Sequence, residues 1–421
     1  MRPSPRVLVV GTTADYIDWI RHSCPESALF LTDPSVRQCA QETPPALSEE
    51  ILCDLSDHHR VRTALQRHLQ KERISLAGIT SYDCESMALA ALLAQDFALS
   101  YPTIEAVRNC RDKLRSKVLW RGHGIPCPRA RRVLTETDAL DFLRVVDGPC
   151  VLKPVAGSGS EFVFMCHSDR ECQENFQKIR KGLKQHRSGR LYAGFSPDQP
   201  LIVAEELVVG EEFSCDFVIE NEQVEVLRLS RKILSKDGPF GTAQAYVLMP
   251  SLSPTVHPSE FQRTLYQSAK ALGISRAICM MDFLIRDGQP LFLEMAPRPG
   301  GDCLPFLLRR GWNLDILTLN LDFARQLPRR TARSSDGHTY VGLRVHARDN
   351  GVLRKIDARP LYQDPRILEV HLPRKPGHMI RMPPADYDSW LLGHVIFLPT
   401  EGHNLESQCN ELLAAIAVEV E

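Results

Sequence analysis

The chain lacks any hydrophobic run long enough to cross a bilayer. Its longest uninterrupted apolar stretch, Met87 to Ala94, falls far short of the ~20 residues that a spanning helix needs. No charged leader with an apolar h-region stands ahead of the first strand, because Met1-Arg2-Pro3-Ser4-Pro5-Arg6 runs directly into Val7-Leu8-Val9-Val10. The 13 cysteines are odd in number, scattered, and never form a tight CxxC, which argues against a disulfide framework and against a ribbon-type zinc site. These absences lead us to expect a soluble protein of the reducing cytoplasm. An excess of one charge is missing too: at a net charge of −1, with 24% charged and 43% apolar residues, the composition is globular. Neither nucleic acid nor a membrane is therefore an expected partner. A GxxxxGKS/T loop is absent, and the turn Gly11-Thr12-Thr13 has one glycine where a dinucleotide fingerprint needs three, so neither a P-loop nor a Rossmann cofactor is assigned.

A length of 421 residues suggests two to three domains. Val7 to Val10, a helical pattern, the strand Ala28 to Asp33 and the strand Leu76 to Thr80 predict a parallel α/β unit over residues 1–108. From Asn109 to about residue 330 the strands are expected to lengthen, hairpin signals appear and helices become sparse, which reads as α+β. The basic run Gln177 to Arg190 has no interleaved aromatics and is expected to be a solvated helix and loop. Leu327 to Gly337 has linker composition. Residues 331–421 then carry short strands, such as Thr339 to Val345 and Gly393 to Leu398, and a closing helix from about Leu405 to Ile416, an expected small α+β cap.

The most informative stretch is Met281 to Asp302, two apolar strands around Asp287-Gly288 with Asp282 on the first, Glu294 on the second and Arg298 just beyond. A three-residue, Gly-bulged turn would put Asp282 opposite Phe292 and on one face with Glu294, whereas a strict two-residue loop would separate the carboxylates. Two converging carboxylates beside a guanidinium suit Mg²⁺ held against nucleotide phosphates. An ordinary edge hairpin with its charges in water is the alternative. Four segments precede it in order. Asn109 to Lys113 opens a helical stretch that stops at His123 to Pro128. The strand Cys150 to Pro154 delivers Lys153 and leads into Val155 to Val163, whose small residues suit either a phosphate clamp or a plain glycine-rich hairpin. Leu201 to Val218 joins two strands through an acidic turn, where backbone can meet an adenine edge and a carboxylate can accept from ribose. Leu229 to Leu234 puts Lys232 on a strand, where it could neutralise a transferring phosphoryl group. For these last two segments a solvated strand edge is the plainer reading.

Taken in this order, the segments between Asn109 and Asp302 resemble the ATP-grasp superfamily of carboxylate ligases. The resemblance implies an ATP-grasp fold, α/β and α+β, with an N-terminal parallel domain (1–108), a nucleotide-binding and catalytic region (109–330) and a C-terminal cap (331–421). It implies ATP and Mg²⁺, with Mn²⁺ as an allowed substitute. By resemblance Lys113 and Lys153 hold the phosphates and Gly157, Ser158, Gly159 and Ser160 form the loop over them. Glu205 and Leu207 flank adenine, Glu212 binds ribose, Lys232 reaches the terminal phosphate, Asp282 and Glu294 are the metal ligands, and Arg298 steadies the acyl phosphate. The segments Lys236 to Thr242, Arg298 to Asp302 and Gly311 to Asp315, with Gly393 to Ile396 in the cap, look most like the L-amino acid (dipeptide) ligases. The implied reaction joins a carboxylate to an amine and releases ADP and phosphate, and a homodimer is compatible with it. Two alternatives stand beside it. One is a carboxylase acting on bicarbonate, although the chain shows no biotin-carrier segment; the other is a nucleotide-binding regulator whose chemistry has lapsed. One departure bears on the second: Ala296 stands where the superfamily usually has an asparagine.

Overall fold

The computed structural model describes residues 5–186, 190, 201–328 and 337–421. Its first unit contains β1 (Arg6–Val10), α1 (Ala14–Ser23), β2 (Ala28–Thr32), α2 (Pro34–Cys39), β3 (Glu50–Leu52), α3 (His58–Glu72), β4 (Leu76–Thr80) and α4 (Met87–Asp96). The strands form a parallel sheet in the order β3-β2-β1-β4. Val7 and Val9 join one core and Leu8 and Val10 another, so both faces of β1 are covered, as a parallel sheet requires.

The middle of the chain begins with α5 (Ile104–Arg111), α6 (Lys113–Gly122), β5 (Ala130–Val133), α7 (Glu136–Val146), β6 (Cys150–Pro154), β7 (Phe164–Cys166), α8 (Asp169–His186) and β8 (Ile202–Glu206). The strands make a small antiparallel sheet, β5-β8-β6-β7. Then come β9 (Glu211–Glu220), β10 (Gln223–Leu234), β11 (Ala243–Leu248), α9 (Pro258–Ala271), β12 (Ala277–Arg286), β13 (Gln289–Ala296), α10 (Leu304–Trp312) and α11 (Ile316–Ala324). Helices are thus not sparse here. In α8 the apolar stripe is narrow and set in polar sequence, burying Cys172, Phe176, Ile179 and Leu183 along a strongly charged helix. The expected helix in the basic run is this α8; the rest of that run except Arg190, and most of the expected linker (329–336), lie outside the described residues. Asn109 does not open a helix but sits inside α5; the chain breaks at Asp112, whose carboxylate caps α6 by accepting from Leu114 and Arg115 N–H.

The last segment holds β14 (Val341–His346), β15 (Gly351–Asp357), β16 (Ile367–His371), β17 (Met379–Ile380), β18 (Leu391–Phe397), α12 (Leu405–Ala414) and β19 (Ala417–Val420). Three of its strands complete one large sheet, β13-β12-β9-β10-β11-β14-β18-β16, while β17-β15-β19 form a small one. Period-2 alternation gives the large sheet two unlike faces. Phe213, Cys215 and Phe217 of β9 and Cys279, Met281 and Phe283 of β12 pack with Phe261, Leu265 and Ala269 of α9. The opposite face presents Glu212, Ser214 and Asp216, Ser230 and Lys232, and Asp282. No helix among the described residues is long and apolar enough to cross a membrane.

Candidate active site

The small sheet and the polar face of the large sheet meet over a cleft of about 380 Å³. In place of the acidic turn expected between β8 and β9, the link between these sheets is Leu207-Val208-Val209-Gly210, and the acids Glu205, Glu206, Glu211 and Glu212 stand on the strands that flank it. Lys113, Lys153, Gly157, Ser158, Gly159, Ser160, Glu205, Leu207, Glu212, Lys232, Asp282 and Glu294 all line the cleft.

Asp282 and Glu294 are direct partners in the β12–β13 ladder. Of the two turn forms considered, the hairpin takes the strict two-residue one. Arg286 pairs with Gln289, leaving a two-residue loop in which Asp287 and Gly288 have φ of 52° and 74°, the left-handed pair that a tight hairpin favours. What unites the carboxylates is a bulge farther in: Phe283 pairs with Phe292 but Asp282 with Glu294, so Leu293 is an extra residue and its insertion flips Glu294 onto the Asp282 face. Lys117 holds that bulge, donating from Nζ to the Leu293 carbonyl at 2.7 Å.

Cations and carboxylates alternate around the cleft. Lys153 lies 2.7 Å from Glu205 Oε2, and Lys117 lies 2.8 Å from Glu205 Oε1. Lys113 meets Glu294 Oε2 at 3.0 Å and donates to the Gly157 carbonyl at 3.1 Å. Lys232 bridges Glu212 Oε1 at 2.7 Å and Asp282 Oδ2 at 3.1 Å. Burial alone would raise the carboxyls, yet the lysines outweigh it at two of them: Lys113 and Lys153 hold Glu294 down at about 2, and Lys117 and Lys153 keep Glu205 below its ordinary value. Asp282 goes the other way, raised by burial and by the neighbouring Glu294 and Glu212 against the pull of Lys232. Burial pushes the Lys153 ammonium down to about 8 despite Glu205 beside it.

Asp282 Oδ1 is buried without a hydrogen-bond partner, an orphaned anionic oxygen that a cation would satisfy. With Glu294 beside it, the pair fits one Mg²⁺, an ion that takes one or two carboxylates and leaves its other positions to phosphate and water. Ala296 adds no donor; it packs in an apolar cluster with Met87, Ala91 and Val107.

The loop after β6 lies over the cleft. Ser160 donates from Oγ to the Gly241 carbonyl at 2.9 Å, and Phe162 stacks edge-on to Tyr387 at 5.5 Å between ring centroids. A Cβ at Gly157 or Gly159 would meet nothing within 4 Å, so the backbone there is open to an approaching ligand. Arg298 is the one expected site residue that does not line the cleft. Its guanidinium turns to the first unit, donating to Cys84 Sγ at 2.9 and 3.2 Å and to the Pro299 carbonyl at 2.7 Å.

Two features escaped the sequence reading. Lys117 is one: it stands four residues after Lys113 and so on the same helical face, which was the available signal. The other is the fully buried pair Arg228–Asp216, closed at 2.6 Å. Its signal was the i, i+2, i+4 series Arg228, Ser230, Lys232 on one strand face. Asp216 Oδ1 also accepts from Gly300 N–H at 2.8 Å, fixing the turn after β13. A Cβ at Gly300 would lie 2.7 Å from Leu304 Cδ1 and 3.0 Å from Arg228 Nη2, so a larger residue there would have to displace the Leu304 side chain and crowd the ion pair.

Comparison with known proteins bears on the domain and the fold. Residues 146–305 match the ATP-grasp domain family model. The uncharacterized protein y4rH of Sinorhizobium fredii is 22% identical over 290 residues, covering 67% of this chain and 55% of that protein. A D-alanine–D-alanine ligase of Verminephrobacter eiseniae is 24% identical over 198 residues, covering 45% of this chain and 55% of the ligase. The matched region thus spans about half the length of these relatives. Among solved structures, L-amino acid ligase from Bacillus licheniformis superposes with a TM-score of 0.76 at 18% identity, covering 100% of both chains. Residues 146–305 are an ATP-grasp domain, and the chain around them has the ATP-grasp fold.

Proposed function

We propose that the protein is an ATP-dependent ligase that joins a carboxylate, an amino acid, to an amine through an acyl phosphate and releases ADP and phosphate. The observation that carries this reading is the pair Asp282 and Glu294, one with an orphaned buried oxygen, set among Lys113, Lys153 and Lys232 in one cleft. A carboxylate resists amines because oxide is a poor leaving group, whereas an acyl phosphate loses phosphate readily. Catalysis is then positioning plus charge neutralisation.

In this reading the lysines exchange their carboxylate partners for phosphates when ATP enters. Lys113 and Lys153 hold the phosphate chain, and Lys232 neutralises the terminal phosphoryl group as the substrate carboxylate attacks it. Mg²⁺, held by Asp282 and Glu294, supplies charge neutralisation of the phosphates when bound. Glu205 and Leu207 flank the adenine and Glu212 takes the ribose. Loop 155–163 keeps water from the acyl phosphate. Arg298, beyond the cleft on the side of the first unit, meets the acyl phosphate and the oxyanion formed when the amine adds. The carboxylate and amine substrates accordingly bind between the large sheet and the first unit. No enzyme nucleophile is needed. The division at residues 108 and 330, and residence in the cytoplasm, belong to the same proposal.

The names of the relatives support amino acids as substrates: a D-alanine–D-alanine ligase and an L-amino acid ligase. The test is phosphate release from MgATP across a panel of amino-acid pairs, with product masses read for a condensation. ADP formed only with a suitable carboxylate, together with a condensed product, is expected. AMP and pyrophosphate as stoichiometric products would sink the acyl-phosphate route, and bicarbonate-dependent turnover would point to a carboxylase.

A further inference from the structure

Away from the cleft, three thiols converge inside the small sheet. Cys150 opens β6, Cys166 closes β7 and Cys172 lies near the start of α8; all three are fully buried, and their sulfurs lie within 4.8 Å of one another. Cys150 and Cys166 are direct partners in the β6–β7 ladder, so their side chains leave the sheet on one face, where Cys172 meets them. Asn175, less than a turn along α8 from Cys172, is buried in the same apolar core. It donates from Nδ2 to Cys166 Sγ at 3.5 Å and to the Met165 carbonyl at 3.3 Å, and its Oδ1 accepts from Lys178 at 3.1 Å.

A single buried cysteine behaves as a small hydrophobe. Three from separate elements, with an amide directed onto one sulfur, form a ligand set with an outer hydrogen bond of the kind that orients metal ligands. An ion with metal–sulfur bonds of ~2.3 Å holds three thiolates roughly 4 Å apart, which the observed separations nearly meet. Among the described residues no histidine, carboxylate or fourth cysteine joins the three. Zinc in a structural site takes four ligands, whereas soft thiolates also select Cu(I), which is content with three.

We propose that Cys150, Cys166 and Cys172 bind a single Cu(I) ion. Three thiols and Cu⁺ give a tris-thiolate complex and three protons released to solvent; no electrons move. The negative charge that results is opposed by the Asn175 amide and by the backbone N–H groups that open the 18-residue α8, although that helix also carries Asp169 and Glu171 in its first turn. The ion would tie together the two strands that carry loop 155–163. This inference does not depend on the ligase reading.

The test uses the reduced, full-length protein under anaerobic conditions, with Cu(I) supplied as its bicinchoninate complex. Native mass spectrometry is expected to show one copper retained per chain, and copper-edge X-ray absorption to show three sulfur neighbours. Cys172→Ala should abolish retention, while Cys409→Ala, a buried thiol in α12, should leave it intact. Equal retention by Cys172→Ala would overturn the proposal, as would a shell of two sulfurs or of nitrogen and oxygen donors in the unaltered protein. So would a Cys150–Cys166 disulfide found after anaerobic purification. The absorption measurement decides the matter even if a variant fails to fold.

Discussion

Two ion pairs lie on the same polar face of the large sheet, and they differ in completeness. Arg228 and Asp216 are wholly buried, and their polar atoms are matched: the guanidinium bonds Asp216, the Ser214 carbonyl and the Ser214 hydroxyl, and the second carboxylate oxygen takes the Gly300 N–H. Lys232 and Asp282 also pair, but Asp282 keeps one buried oxygen without a partner and Lys232 is shared with Glu212. A closed pair clamps structure and has nothing left to offer a ligand. An open pair stores unsatisfied charge that a ligand can complete.

The largest expected effect comes from breaking the closed pair. Arg228→Met leaves Asp216 buried without a counter-charge, and loss of one partner of such a pair costs about 3–5 kcal/mol; urea unfolding should show it. If stability is unchanged, the pair is not the clamp described. Glu294→Gln attacks the open site instead, and removing one such electrostatic contribution commonly costs on the order of 10²-fold in rate. Turnover should collapse at saturating ATP and Mg²⁺ while the urea midpoint stays near that of the native protein. A variant that loses stability but keeps its turnover would reverse the assignment of the two pairs.

A smaller effect concerns Lys153, whose ammonium titrates at about 8 in the free protein. As pH rises through this value the lysine loses its charge, so kcat/KM for ATP should fall above pH 8, and Lys153→Arg should carry that limb to higher pH. Stability moves in the opposite sense. Between about 8 and the ordinary lysine value of about 10.4 the unfolded chain keeps a proton that the folded chain has released, so this group's contribution to stability rises with pH across that window. The smallest effect on nucleotide binding is expected at Arg298. Because it does not line the ATP cleft, Arg298→Ala should leave MgATP affinity by calorimetry nearly unchanged while abolishing product formation. Weakened ATP binding of tenfold or more would place Arg298 at the nucleotide after all.

Local sequence determined the parts whose cause is local. Alternation along β9, β10 and β12 sets a polar face against an apolar one, and the parallel unit is legible in Val7 to Val10, Ala28 to Thr32 and Leu76 to Thr80, because strand period and turn residues act over a few positions. The motif order from Lys113 to Glu294 likewise named the residues of the cleft. Tertiary structure decided what depends on distant partners. Asp287-Gly288 calls for a tight turn, but the meeting of Asp282 with Glu294 depends on the bulge at Leu293, whose carbonyl is taken by Lys117 from α6. The same is true of the convergence of Cys150, Cys166 and Cys172, which no spacing announces, and of the direction of Arg298, drawn to Cys84 more than two hundred residues earlier in the chain. A bulge, a buried cluster and a long side chain's direction are set by the contacts that reward them, and those contacts exist only once the chain has folded.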